Sequence, residues 1–274
     1  MNKTAIKNFA IWAREKLIKD ITYKASTLGI TDEFIAEKLS TSTDDFYMYD
    51  IGAREPIRIE KQYINQREKF AQAIRNKEKD TKNYKEAFEY VVEEVAYTWF
   101  NRLVAIRFME VNEYLPSGVR ALSSQQGDKL EPDMVTNPFD ADLELLNSEK
   151  EKILELKEEN KLDELFRMLF IKQCNQLQNV LPELFEATDD YTELLLTISF
   201  TDKDGIIYHL THDIEEKDFN VEEEGQVEII GWLYQYYNSV PKEIVFANLK
   251  KNIKINKDNI PAATQLFTPD WIVR

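Results

Sequence analysis

Few side chains in this chain are placed to do chemistry, and the best placed are its two histidines, in Tyr208-His209-Leu210-Thr211-His212-Asp213. A His, His, Asp trio is a ligand set that a transition metal can accept. The segment reads as a strand, however, in which positions 209 and 212 point to opposite faces. Two half-exposed polar residues are therefore expected, and no metal site. Asp202-Lys203-Asp204-Gly205 begins like a calcium loop but lacks the following ligands and the distal Glu, so it is read as a turn. Gly-x-Gly-x-x-Gly, a phosphate-binding P-loop, Gly-x-Ser-x-Gly and paired cysteines are all missing, and no catalytic residue is assigned. What remains is charge. From Arg54 to Lys85 ten basic residues face five acidic ones, and from Lys242 to Lys257 five face one. Arg54, Arg58, Lys61, Arg67 and Arg75 are the candidates for contact with DNA phosphates, the alternative being an ordinary solvated helix face.

These residues must be carried mainly by helices. Ile6, Phe9, Ala13, Leu17 and Ile21 form an apolar stripe at three- and four-residue spacing over 4–25. A short second helix is expected after Thr31, then a polar, Asp-rich stretch over 40–50 and a loop through Gly52 and Pro56. Residues 57–79 read as a basic helix. Phe88, Val91, Val92, Val95, Trp99, Leu103, Ile106 and Val111 mark a long central helix over 83–115, stopped by Pro116-Ser117-Gly118. On that helix Arg102, Arg107 and Glu110 are spaced so that some can meet in ion pairs. The composition between Pro116 and Asn147 is that of a surface loop or boundary. Ser148-Glu149-Lys150-Glu151 reads as a capping box opening the next helix, and another spans about 161–180. Asp204-Gly205 between the apolar runs Leu194 to Phe200 and Ile206 to Leu210 predicts a small hairpin, with a helix as the alternative for the first run. Gln226–Tyr237 and Lys242–Lys251 read as the last two helices. The expected architecture is mainly α, with a helical domain over 1–120, a boundary over 121–147, a second helical subdomain over 148–255 and a lead-in segment over 256–274.

Composition narrows the class. With 43% apolar and 31% charged residues, seven glycines and eight prolines, the 274 residues are those of a folded globular protein with little low-complexity sequence. No apolar run reaches membrane-spanning length, and one cysteine, Cys174, excludes an internal disulfide. A cytoplasmic location follows as the expectation. The net charge of −15 is uneven: residues 1–120 carry 20 basic and 19 acidic side chains, residues 121–274 carry 15 and 31. Such a chain cannot coat DNA unspecifically, though local patches can bind it.

Three segments carry a resemblance. Tyr97-Thr-Trp99-Phe-Asn101-Arg102-Leu103-Val-Ala-Ile-Arg107-Phe-Met-Glu110 resembles a signature helix in the N-terminal region of large bacterial adenine-specific DNA methyltransferases. Together with Gly231-Trp232-Leu233-Tyr234-Gln235-Tyr236-Tyr237 and Ala263-Thr264-Gln265-Leu266-Phe267-Thr268-Pro269, it is similar to the PglX family of BREX phage-defence systems, over essentially the whole chain. The resemblance implies that Phe267, Thr268 and Pro269 form the edge of an S-adenosylmethionine pocket, with the cofactor loop and the Asn-Pro-Pro-aromatic motif following in the intact protein. Asn137-Pro138-Phe139-Asp140 resembles that motif only in part, and turn chemistry accounts for it. Thr268-Pro269-Asp270 is a helix start with four residues after the proline's neighbour Asp270, so the chain is expected to be the N-terminal part of a longer protein.

The resemblance thus implies a region of an adenine-N6 DNA methyltransferase, with double-stranded DNA and other defence proteins as partners, S-adenosylmethionine as the intact protein's cofactor and no membrane association. This chain alone should bind no cofactor and be inactive. The alternative is an interaction module whose acidic second half docks partner proteins or imitates DNA.

Overall fold

The computed structural model describes residues 1–251 except 128, 187–190 and 224. In chain order the elements are α1 (Lys3–Thr27), β1 (Glu37–Lys38), β2 (Phe46–Asp50), β3 (Ile57–Glu60), α2 (Lys61–Thr81), α3 (Tyr84–Val111), α4 (Asp133–Thr136), α5 (Asn147–Glu158), α6 (Leu162–Leu177), α7 (Tyr191–Leu195), α8 (Ile206–His212), α9 (Glu216–Phe219), α10 (Glu228–Tyr237) and α11 (Ser239–Lys250). The fold is mainly α. Among the described residues no helix is long and apolar enough to cross a membrane. The expected helix start at Thr268–Asp270 and the lead-in segment lie outside the described residues. Two compact units interleave along the chain. One holds residues 16–100 and 170–198; the other holds 1–15, 101–169 and the described residues from 199 on.

In the first unit the chain leaves α1 through Gly29, whose φ of +69° is a conformation that suits glycine. The Gly29 N–H donates to Ser26 O and the Ile30 N–H to Ala25 O, the pair of bonds that closes a Schellman cap. The helix expected after Thr31 does not form. The Thr31 hydroxyl accepts the Glu33 and Phe34 amides, but the chain then turns back so that Ile30 bridges Ile35. The polar, Asp-rich stretch over 40–50 ends in β2, the middle strand of an antiparallel sheet in the order β1-β2-β3. Tyr49 pairs with Ile57 and Tyr47 with Ile59, and Tyr49 and Ile59 are buried. β3 takes the first four residues of what read as a longer basic helix. α2 packs on β2, β3 and α7 and buries Phe70, Ala71 and Ile74. Phe70 lies 5.6 Å from the Tyr191 ring and 6.5 Å from Phe88. Trp99 is wholly buried, and its Nε1–H donates to Thr192 O at 3.0 Å.

Tyr84 ties α3 to the turn after α1 by donating its hydroxyl to Thr31 O at 2.8 Å. Burial, with help from Glu78 and Asp32 and against the pull of Arg75, pushes this phenol up to about 12. A raised phenol pKa means that its contribution to stability is whole below the unfolded value of 10.0 and is lost as pH rises towards about 12. Urea unfolding should therefore show stability falling over that window, and the fall should be shallower in Tyr84→Phe, which at neutral pH loses about 1 kcal/mol.

In the second unit α5 starts one residue before the expected capping box. Glu149, not Glu151, reaches back, its Oε2 accepting the Leu146 N–H at 2.7 Å, so Ser148 sits inside the helix. The hairpin expected around Asp204-Gly205 is replaced by helix. Gly205 precedes α8 with φ −86° and ψ 156°, and Ile206, Ile207 and Leu210 are buried, a helical rather than an alternating spacing. The turn is held by Asp163, whose carboxylate accepts the Ser199 hydroxyl, the Phe200 amide and the Thr201 hydroxyl.

Arg107 and Glu110 meet as their spacing along α3 suggested. Arg107 Nη1 lies 2.7 Å from Glu110 Oε1 and 2.9 Å from the Ser123 hydroxyl. Glu110 Oε2 accepts the amides of Ala121 and Leu122 at 2.8 and 2.7 Å. Glu216 joins from α9, 3.2 Å from Arg107 and 2.7 Å from Arg120. Burial pushes the Glu216 carboxyl up, but its hydrogen bond to Arg120 and the two arginine charges outweigh that and hold it below the usual value. Asn112 completes the attachment of α9, donating to Phe219 O and accepting the Val221 amide, both at 2.9 Å.

Candidate nucleic-acid interface

α2 is two-faced for a reason visible in its spacing. Arg67, Phe70, Ala71 and Ile74 recur at i, i+3, i+4 and i+7 and are its buried residues. At about 100° per residue, Lys61, Asn65, Lys69, Gln72, Arg75, Asn76 and Lys79 fall within roughly 120° of one another on the other side, and all seven are exposed. Lys61 and Arg75 are fourteen residues apart, about 21 Å along the axis. That length allows contact with several phosphates of a duplex. Asn65, Gln72 and Asn76 lie between the cations, and side-chain amides are groups able to bond base edges or phosphate oxygens. Gln72 donates to Asn76 Oδ1 at 2.8 Å, and Lys79 does so at 3.2 Å.

Four of the five candidate cations are presented to solvent. Arg54 is exposed in the turn between β2 and β3, Arg58 on β3, Lys61 and Arg75 on α2. Arg54, Lys61 and Arg75 form no ion pair among the described residues. Arg58 sits 4.0 Å over the Phe46 ring and 2.9 Å from Glu60, both contacts at the surface, where such a pair is weak.

Arg67 is different. Its side chain is 1% exposed, and it faces inward, donating from Nε to Leu28 O at 2.9 Å, from Nη2 to Ala36 O at 3.1 Å and from Nη1 to Glu68 at 2.7 Å. The guanidinium also lies 3.5 Å from the Tyr49 ring centre. It is not available to a phosphate. Glu68 falls within the same arc and is exposed, but its carboxylate is thereby occupied, and it also accepts the Tyr49 hydroxyl at 2.9 Å. Burial raises the Tyr49 phenol far above its usual value, the Arg67 charge opposing and the bond to Glu68 adding. Asn65, Gln72 and Asn76 were not among the residues that charge singled out. Their signal lies in the sequence as amides opposite the apolar stripe, which a count of cations passes over.

The remaining candidates resolve into structure. His209 and His212 are on one helix, α8, not on opposite faces of a strand. His209 Nδ1 is 2.8 Å from Asp213 Oδ2 and its ring lies 4.1 Å from Trp12. His212 stacks on Tyr208 at 4.0 Å. Among the described residues no group of three His, Cys, Asp or Glu side chains is arranged to hold a metal. Asn137 to Asp140 form a turn after α4, with the Asp140 amide donating to Asn137 O. Phe267, Thr268 and Pro269 lie outside the described residues.

No protein-family profile matches the chain. It is 47% identical over 281 residues to the adenine-specific methyltransferase PglX of Lacticaseibacillus casei (strain Zhang), and 38% identical over 286 residues to the adenine-specific methyltransferase BrxX of Escherichia coli O9:H4 (strain HS). Both alignments cover all of this chain, which spans only 22% and 21% of those relatives. Over its whole length the chain is therefore similar to the N-terminal region of the PglX family of BREX systems.

Proposed function

We propose that this region engages duplex DNA for an adenine-N6 DNA methyltransferase of a bacterial phage-defence system. The observation that carries the reading is the exposed strip of Lys61, Asn65, Lys69, Gln72, Arg75 and Lys79 on α2, flanked by Arg54 and Arg58 on the β2–β3 hairpin. The names of the two relatives supply the reaction class. On this reading the longer protein takes its methyl group from S-adenosylmethionine and flips its target adenine, and it acts in the cytoplasm. Phe267, Thr268 and Pro269 would border the cofactor pocket, and the 274 residues alone would be inactive.

Duplex binding tests it directly. Reversing the charge at Arg58, Lys61 and Arg75 together should weaken duplex affinity by about a hundredfold at low salt and lower the salt slope by about 0.9 for each phosphate no longer neutralised. Unchanged affinity and slope in that variant would remove the reading. A partner-docking role would then take its place, favoured by Phe139, Leu146 and Leu154, which are 50%, 65% and 51% exposed in or beside the acidic segment 140–159.

A further inference from the structure

In the unit that does not hold α2, the start of α1 and helices α10 and α11 border an open groove of about 490 Å³, lined by Lys7, Tyr236, Lys242, Glu243, Phe246 and Lys250 among others. Its make-up is unusual for a chain of net charge −15. Three lysines converge on it, none with an ion-pair partner among the described residues, against one glutamate. Two aromatic rings line the same space, and Phe246 is 44% exposed. The aromatic surface continues past the groove: Tyr236 stacks on Trp232 at 5.9 Å and 25°, and Lys3 Nζ lies 4.1 Å over the Trp232 ring. Cations and aromatic rings gathered on one surface suit a sugar-phosphate backbone with unstacked bases.

We infer that this groove is a nucleotide-binding site, built for a phosphate on the lysines and an unstacked, amino-bearing base against Tyr236 and Phe246. A duplex does not suit it, because paired bases offer no free face. An acidic peptide would satisfy the lysines and leave the rings unused. Glu243, which would repel a purely anionic ligand, accepts a hydrogen bond from an exocyclic amine such as cytosine N4. The same chemistry is offered by a single DNA strand and by a free nucleotide. The inference rests on the proposed function only in taking nucleic acid as the ligand class, and its residues are separate from the duplex-binding strip.

The test is fluorescence anisotropy of the 274-residue chain with labelled oligodeoxycytidine. The strand should bind more tightly than oligothymidine, which has no exocyclic amine. Lys7→Gln, Lys242→Gln and Lys250→Gln combined should abolish strand binding and with it a salt slope of about 2, at roughly 0.7 per phosphate neutralised. Phe246→Ala, at an exposed position that circular dichroism can confirm leaves the fold intact, should cost roughly tenfold. Both variants should keep duplex affinity, so failure of the groove and failure of the α2 strip are read separately. Displacement of the strand by cytidine triphosphate, with the same sensitivity to substitution, makes the free nucleotide the source. No strand binding, strand affinity unchanged in the triple variant, or oligoglutamate competing equally while Phe246→Ala has no effect would each overturn the inference.

Discussion

Glu110→Ala should cost about 3–5 kcal/mol of folding free energy, measured by urea unfolding of the 274-residue chain. The Glu110 side chain is wholly buried beside Arg107, itself 2% exposed. Its two oxygens take Arg107, the Ser123 hydroxyl and the amides of Ala121 and Leu122. Removing the carboxylate leaves the buried guanidinium only the half-exposed Glu216 and the Ser123 hydroxyl, its Nε having no partner among the described residues, and leaves two backbone amides without an acceptor. A buried charge that loses its fully buried partner is penalised far more than the intact pair is rewarded, and each orphaned donor adds its own desolvation cost.

Glu110→Gln separates these effects. The amide keeps one oxygen acceptor and the shape but loses the charge, so it should recover part of the loss and remain less stable than the parent. Glu216 gives the contrast, because its side chain is 45% exposed and water screens its pairs with Arg107 and Arg120. Glu216→Gln should cost less than Glu110→Gln, and the opposite order would show that the network is held from α9 instead of from α3.

Much of this architecture is legible in the residues themselves. The stripe from Ile6 to Ile21 and the face from Phe88 to Val111 are long enough for the 3.6-residue period to be unambiguous, and both are helices. Short elements escape that test. Phe46-Tyr-Met-Tyr-Asp50 is a strand of five residues bounded by aspartates, which read as loop, and Ile57-Arg-Ile-Glu60 alternates for too few residues to stand apart from the basic helix that follows. At Asp204-Gly205 the dipeptide chemistry of a hairpin is outweighed by burial of Ile206, Ile207 and Leu210 on one side of a helix. For the candidate interface, composition locates the patch but not the direction of each side chain. The periodicity does hold that information: Arg67 lies three, four and seven residues before Phe70, Ala71 and Ile74, which places it on the buried stripe.

That placement separates Arg67 from its neighbours by experiment. Arg67→Ala should lose about 3–5 kcal/mol, because it leaves the Leu28 and Ala36 carbonyls without their buried donor and uncovers Tyr49. Arg67→Lys should rescue little of this. A lysine keeps the charge, but its single ammonium cannot span two carbonyls and a carboxylate while lying flat on a ring. Arg58 and Arg75 are exposed, so neutral substitutions there should stay within about 0.5 kcal/mol of the parent in stability while weakening duplex binding. The decisive comparison is duplex affinity of Arg67→Lys under conditions where it is still folded. Affinity equal to the parent's, with reduced stability, fits a residue that holds α2 against the sheet so that Lys61 and Arg75 face outward. Full stability with diminished affinity would make Arg67 a phosphate ligand, and would mean that α2 turns about its axis when it meets DNA.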